Sequence, residues 1–316
     1  MIPMDNLKEI LKKKAKEIGF DQIGFAKAET LGQEFDDYLR WLDAGFNASM
    51  DYLARNKEKR KDISLVLENA KTVIVTATNY NTPFFHNCSI NDTSGKISRY
   101  AWGDDYHDVI LPKLKLLSLE ITNFHPDSKL KCYVDTGPIL EKVWAVKAGL
   151  GWQGKNSLIL TKKFGSYVFL GLIITTAEID SDIIIPDHCG KCNACIENCP
   201  TGAIVHPKVL DSNKCISYWT IETKGKIDFP ENIAQNLKNW VFGCDICQEV
   251  CPWNRKKIFT KDFRFYPRNN QTLIDANEID TMDTAGFNIR FKNSPIKRAK
   301  LDGINKTFNY IKKSGR

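Results

Sequence analysis

Apolar and polar positions alternate with helical spacing at the start of the chain. Leu7, Ile10, Leu11 and Ile18 share one face of a helix predicted over residues 5–18. Similar patterns predict helices over 33–43 and 106–124, the second rich in Leu and Ile. Residues 71–77, Lys-Thr-Val-Ile-Val-Thr-Ala, form a β-branched run with no polar alternation, as a strand buried on both faces requires. A short strand over 130–134 ends at the turn signal Asp135-Thr136-Gly137-Pro138. A helix over 139–148 follows, and then a hairpin of 156–161 and 167–176 around 162–165. Helices and strands mix without strict alternation, which predicts an α+β or α/β sandwich for residues 1–178.

Two glycine motifs near residue 150 mislead. Gly149-Leu150-Gly151-Trp152-Gln153-Gly154 matches G-x-G-x-x-G, and Gly149 to Asn156 nearly matches a P-loop. Both motifs need a strand before them and a helix after, so that phosphate meets a helix N-terminus. Here the predicted order is reversed, and Asn156 stands where Ser or Thr would hold magnesium. The glycines then mark a helix cap and a tight turn.

The chain has 316 residues, 42% of them hydrophobic, enough for two domains with real cores. Its net charge of +7 is unevenly placed. Residues 254–316 hold 15 Lys/Arg against 6 Asp/Glu, whereas the rest of the chain is slightly acidic. Aromatics interleave the basic stretch: Phe259, Phe263, Phe265, Tyr266, Phe287, Phe291, Phe308 and Tyr310. Such a segment suits a polyanion, nucleic acid first. The bland alternative is a solvated tail whose aromatics dock on the core.

The decisive chemistry lies in eight of the ten cysteines. One run reads Cys189-x2-Cys192-x2-Cys195-x3-Cys199-Pro200 and another Cys244-x2-Cys247-x3-Cys251-Pro252, with Cys215 between them. The first is the spacing of ferredoxins with two [4Fe–4S] clusters, in which the fourth cysteine serves the other cluster. The second run lacks a cysteine three residues before Cys244, where Val241 stands, and Cys215 is the substitute. One cluster is therefore assigned to Cys189, Cys192, Cys195 and Cys251, the other to Cys199, Cys215, Cys244 and Cys247. Zinc fits these intervals poorly. Disulfides need an oxidising compartment, and the N-terminus reads as an amphipathic helix rather than an export signal. No stretch approaches a membrane span. A cytoplasmic protein is expected, with no membrane contact. Cys88 and Cys132 are left free, with apolar packing as their default.

Asp135 is the acid to single out, although Asp before Gly-Pro is commonly a turn former. Asp105-x-His107 begins a cobalamin-ligating signature, D-x-H-x-x-G, but position 110 is Ile. His107 is not read as a cobalt ligand.

Longer motifs carry a family resemblance. They are Ser98-Arg99-Tyr100-Ala101-Trp102-Gly103 with Tyr106-His107, and Val134-Asp135-Thr136-Gly137-Pro138-Ile139-Leu140-Glu141-Lys142. Ala148 to Ser157, the cysteine runs and Cys215-Ile216-Ser217-Tyr218-Trp219-Thr220-Ile221-Glu222 complete the set. Together, over about residues 5–255, they resemble the epoxyqueuosine reductases. The resemblance implies reduction of the epoxide of epoxyqueuosine, at the wobble position of tRNA, to queuosine. It implies two [4Fe–4S] clusters, and cobalamin bound without a protein histidine on cobalt. It implies a corrinoid domain built like that of reductive dehalogenases over 1–178, a ferredoxin-like module over 179–253, and the basic segment 254–316 as a tRNA contact. Asp135 matches the family's proton donor, and a buried setting would suit an acid working at neutral pH. Ser98, Asp135, Gly154, Lys155, Asn156, Ser157 and Ser217 match corrinoid contacts. The expected partners are tRNA and an external electron donor, with the protein acting as a monomer.

Tyr218 and Trp219 have two readings, contact with the flipped base or packing around a cluster. Many family members continue into a helical-repeat domain that this sequence does not include, and the basic 254–316 segment is expected to do part of that domain's work on tRNA. Two rivals remain at this level. A corrinoid dehalogenase shares the plan but has no use for the basic segment. A ferredoxin-like carrier has no use for the N-terminal domain.

Overall fold

The structure, a computed structural model, describes residues 5–86 and 93–314. Cys88 lies outside the described residues. The chain forms two compact units, 1–79 with 107–192 and 80–106 with 193–316. The sequence division at 178/179 and 253/254 differs from this partition. Residues 80–106 join the C-terminal unit, and the basic segment is built into that unit.

The first unit is organised by a four-stranded sheet in the order Gln22–Lys27, Thr72–Asn79, Val168–Thr175, Leu130–Tyr133. Every pairing is antiparallel, so the mixed architecture is α+β. All eight residues of Thr72–Asn79 are buried, which explains a β-branched run without alternation. Successive side chains take opposite faces. Val73, Val75 and Ala77, with Leu172 and Ile174, pack in one core with Phe35, Trp144, Ala145 and Ala148. On the other face, a Cβ built on Gly171 would meet Ile110 and Leu114 of the Tyr106–Phe124 helix at 2.9 and 3.0 Å. Helices therefore cover both faces. The Asp5–Ile18 helix buries Leu7, Leu11 and Ala15, one stripe at four-residue intervals.

The expected hairpin of 156–161 and 167–176 does not form. Ile159–Leu160 pairs instead with Trp152–Gln153, and the Thr161–Gly165 bridge closes only the turn itself. Val168–Thr175 is buried along most of its length and pairs with Thr72–Asn79 over eight residues. That long apolar register outweighs a local turn.

The second unit has a three-stranded sheet in which Ser94–Ile97 lies between Trp240–Phe242 and Leu273–Asp275. Its core takes Trp240, Val241, Phe242, Ile274, Ile304 and Phe308, all at or below 1% exposure. Val241, where the second cysteine run breaks its symmetry, is thus a core residue of a sheet strand. Among the described residues no helix is long and apolar enough to cross a membrane.

Candidate active site and cluster-binding loops

Asp135 follows the Leu130–Tyr133 strand at a turn and has φ +57°. This left-handed conformation is one that Asp tolerates better than most residues. Its main-chain N–H donates to Glu141 Oε1 at 2.7 Å. Glu141 opens the short helix Glu141–Lys147, so the helix start fixes the turn. The Asp135 side chain is 56% exposed, with His107 Nε2 4.0 Å from its Oδ2.

The buried setting expected for Asp135 falls on Glu141. That residue keeps some accessible surface, yet its carboxyl is surrounded by protein. Burial, reinforced by the nearby Asp135 charge, pushes Glu141 up to about 8. Lys142 and the buried Arg60 oppose the shift without cancelling it. The Arg60 guanidinium is held by the carbonyls of Ile139 and Tyr52, each at 3.4 Å. Sequence reasoning quoted Glu141 within a motif but gave it no role. Its signal was faint: an acid at a helix start six residues after another acid.

The Gly149 cap forms as expected. Gly149 has φ +69°, its N–H reaches Val146 O, and Leu150 N–H reaches Ala145 O. The strand that follows confirms that neither nucleotide motif has its required context. Gly154 to Ser157 occupy the turn between Trp152–Gln153 and Ile159–Leu160. Gly154 N–H donates to Leu158 O, Ser157 N–H to Gly154 O, and Leu158 N–H to Asn156 Oδ1. A Cβ on Gly154 would lie 2.6 Å from Leu160 Cδ1. Ser157 has φ +64°. Its hydroxyl oxygen is buried and has no hydrogen-bond partner among the described residues. A buried orphan of this kind fits a turn that receives a polar ligand.

In the second unit, Ala194–Glu197 and Ile246–Glu249 are matched short helices. Each carries a cysteine as its second residue, Cys195 or Cys247, and each is followed by a Cys-Pro pair. Cys215 interacts electrostatically with Cys199, Cys244 and Cys247, and Cys247 also with Cys199, Cys244 and Cys195. Main-chain N–H groups point at their sulfurs. Ala203 N–H lies 3.2 Å from Cys199 Sγ, those of Ser217 and Tyr218 reach Cys215, and that of Ile246 reaches Cys244. The sulfurs of Cys215, Cys244 and Cys247 lie deep although each residue retains some surface. Burial pushes the thiols of Cys215, Cys244 and Cys247 up, and neighbouring sulfurs add to the shift. Iron reverses that logic, because its positive charge favours the thiolate. Inward sulfurs with N–H donors suit a cluster held by thiolates.

Of the other four cysteines, Cys189 and Cys192 belong to the first unit, Cys195 and Cys251 to the second. No three His, Cys, Asp or Glu side chains among the described residues converge on a single ion. The ligands of a polynuclear cluster each bind a different iron, which is a different requirement. Cys132 is half-buried on its strand, and burial pushes its thiol up.

Comparison with known proteins places this framework. A profile described as "Epoxyqueuosine reductase QueG, DUF1730" matches residues 60–136. One for a 4Fe-4S double cluster binding domain matches residues 188–254. An epoxyqueuosine reductase of Atelocyanobacterium thalassa (isolate ALOHA) is 43% identical over 303 residues, spanning 94% of this chain and 96% of that protein. The chain belongs to the epoxyqueuosine reductase family. One epoxyqueuosine reductase, crystallised with an epoxyqueuosine-modified tRNA-Tyr stem loop, aligns with TM-score 0.91 and 32% identity over 98% of this chain and 81% of its own. Another, from Bacillus subtilis, has the same TM-score and 30% identity over 98% of this chain and 82% of its own. It was solved with an aspartate catalytic loop swung out of the active site.

Within this epoxyqueuosine reductase fold the remaining expected site residues have definite places. Ser98 is buried, and its hydroxyl donates to Asp245 Oδ1 at 2.6 Å. Ser217 lies in the first turn of Ile216–Ile221. Tyr218 and Trp219 are buried at 6% and 8% exposure. Trp219 Nε1–H donates to Asn213 O, and its ring meets the edge of Phe229. That packing favours the structural reading for Trp219. The basic segment is equally committed. Phe265, Phe287, Phe291 and Phe308 are core residues, and Tyr310 stacks on Phe229 at 4.7 Å. Part of its charge is paired within the fold, as in Arg264–Asp262, Arg290–Glu278 and Lys312–Asp280, whereas Arg255, Lys256, Lys257 and Lys261 are exposed.

Proposed function

We propose that this chain reduces the epoxide of epoxyqueuosine in tRNA to the cyclopentene of queuosine. The observation that carries the reading is family membership over nearly the whole chain, joined to eight cysteines at two-cluster spacing. Loss of the epoxide oxygen as water takes two electrons and two protons. The clusters supply single electrons from an external donor, and cobalamin supplies the reactive centre that couples them to the substrate. Cys189, Cys192, Cys195 and Cys251 hold one cluster, and Cys199, Cys215, Cys244 and Cys247 the other. Ser98, Asp135, Gly154, Lys155, Asn156, Ser157 and Ser217 are the residues proposed to hold the corrinoid. The unpartnered Ser157 hydroxyl supports that role for its turn.

Asp135 delivers a proton from its carboxyl to the departing oxygen. Its side chain is 56% exposed, where a substrate can reach it, and His107 Nε2 lies 4.0 Å from its carboxyl. Bound substrate would supply the water exclusion that the turn alone does not. Exposed Lys and Arg of 254–316 meet the tRNA phosphates. The protein works as a monomer in the cytoplasm, where thiols stay reduced.

The test is anaerobic incubation of reconstituted protein with epoxyqueuosine-containing tRNA and a strong reductant, with and without cobalamin. Nucleosides are read by mass spectrometry. Cobalamin-dependent formation of queuosine is the expected result. No conversion by protein with full clusters and bound corrinoid would overturn the reading.

A further inference from the structure

The two cysteine runs carry an internal comparison. Cys192-Asn193-Ala194-Cys195-x3-Cys199-Pro200 and Cys244-Asp245-Ile246-Cys247-x3-Cys251-Pro252 have the same spacing. Asn193 and Asp245 occupy equivalent positions, each the N-cap of its short helix. Their backbones agree: φ −122°, ψ 14° at Asn193 and φ −109°, ψ 6° at Asp245. Their carbonyls accept the same two bonds, from Ile196 and Glu197 in one loop and from Gln248 and Glu249 in the other. The loops therefore differ at this position by one carboxylate against one amide of nearly equal shape.

Their surroundings differ as well. Asn193 is exposed, whereas Asp245 is 1% exposed. Asp245 accepts hydrogen bonds from Ser98 Oγ at 2.6 Å, Arg99 N–H at 2.6 Å and Gln248 Nε2 at 3.0 Å. Three donors on one carboxyl suit its ionised, acceptor-only form. Among the described residues no Lys, Arg or His pairs with it in a salt bridge. The Arg99 guanidinium instead donates to the carbonyls of Thr82 and Phe84 and lies 4.4 Å from the Trp102 ring centroid. A buried charge held by dipoles and not by a counter-charge is costly. Asp245 lies in sequence between Cys244 and Cys247, so its charge is set among the ligands of that cluster, with Lys96 also near Cys244.

We propose that Asp245 is a potential-setting residue: its buried charge lowers the reduction potential of the cluster held by Cys199, Cys215, Cys244 and Cys247. The equivalent loop, with Asn193, has no such charge. Net charge and hydrogen bonding around the ligands set cluster potentials, and negative charge opposes the arrival of an electron. At this position the charge is one-sided, and it biases the Asp245-side cluster toward a lower potential than an amide there would give. Ser98 and Arg99 then act through Asp245, holding the charge in place. This inference rests on the two-cluster reading above, but not on the tRNA substrate.

The experiment is a redox titration of the anaerobically reconstituted protein, followed by electron paramagnetic resonance, with iron and sulfide assayed on the same samples. Asp245→Asn gives the second loop the residue of the first. The expected result is a positive shift of one midpoint potential, with the other unmoved and iron content retained. Asn193→Asp, at an exposed position, is expected to shift the other potential downward by less, because solvent screens the charge. Unchanged potentials in Asp245→Asn at full iron content overturn the proposal. So does an equal shift of both. If Asp245→Asn loses iron, Asn193→Asp decides, and the absence of a negative shift there overturns the proposal. Because no tRNA is involved, failure of the wild-type protein to make queuosine would sink the functional reading and leave this result intact.

Discussion

The main-chain N–H of Asp135 donates to the carboxyl of Glu141 at 2.7 Å, so the exposed acid of the turn is tied through its backbone to a buried one. Glu141 is raised from 4.5 to about 8, chiefly by burial. Between those values the unfolded chain gives up this proton while the folded chain keeps it. Folded protein then binds more protons, and stability falls as pH rises through the window. Glu141→Gln keeps an acceptor and removes the titration. The variant should lose less thermal stability than the wild type between pH 5 and pH 8, in melting curves of anaerobic samples. Parallel curves would rule out this assignment.

Asp135→Asn should preserve the turn, since Asn also tolerates positive φ. It should keep iron content while slowing epoxyqueuosine reduction by at least about 100-fold in samples matched for bound corrinoid. Single-turnover conversion of tRNA, read by mass spectrometry, checks this. Near-wild-type turnover would remove Asp135 from the proton path.

Gly24, in the Gln22–Lys27 strand, lies against the end of the Glu141–Lys147 helix. A Cβ there would sit 2.0 Å from the carbonyl oxygen of Ala148. Main chain on both sides leaves little room to yield. Gly24→Ala should cost about 1–3 kcal/mol of stability, measured by denaturant unfolding. The same substitution at Gly32, where nothing lies within 4 Å, is the control.

Deleting 254–316 would not test tRNA binding, because Ile304 and Phe308 are fully buried and the deletion would open the core of the second unit. Replacing the exposed Arg255, Lys256 and Lys257 by Ala leaves that core untouched. If these residues meet phosphates, affinity for the tRNA stem loop should fall. The slope of log K against log salt should flatten by about one for each phosphate that is no longer neutralised. Fluorescence titrations at several salt concentrations would show it, and an unchanged slope would move the tRNA interface elsewhere.

What the sequence revealed depended on distance along the chain. The helix over 5–18, the strand from Thr72 and the Gly149 cap were legible because period and turn chemistry are local. The cysteine runs were legible because cluster ligands come at fixed intervals. The family motif pointed to Asp135, but its exposure and the buried role of Glu141 depend on how a turn meets a helix start. The bond from Ser98 to Asp245 joins residues far apart in sequence, and no period encodes it. The misplaced hairpin has the same origin: Val168–Thr175 found a better partner in Thr72–Asn79 than in its neighbour.

The strand Ser94–Ile97 waits for both of its neighbours. During synthesis it emerges early, while Trp240–Phe242 and then Leu273–Asp275 follow much later. Such non-local pairing is slow and leaves an open strand edge on the nascent chain. Every cluster cysteine has been made before Leu273–Asp275 arrives to close the sheet. Iron delivered to the growing chain would meet a second unit that still lacks a wall. The sheet of the second unit is therefore completed only after all eight of these cysteines and the Leu273–Asp275 strand have been made.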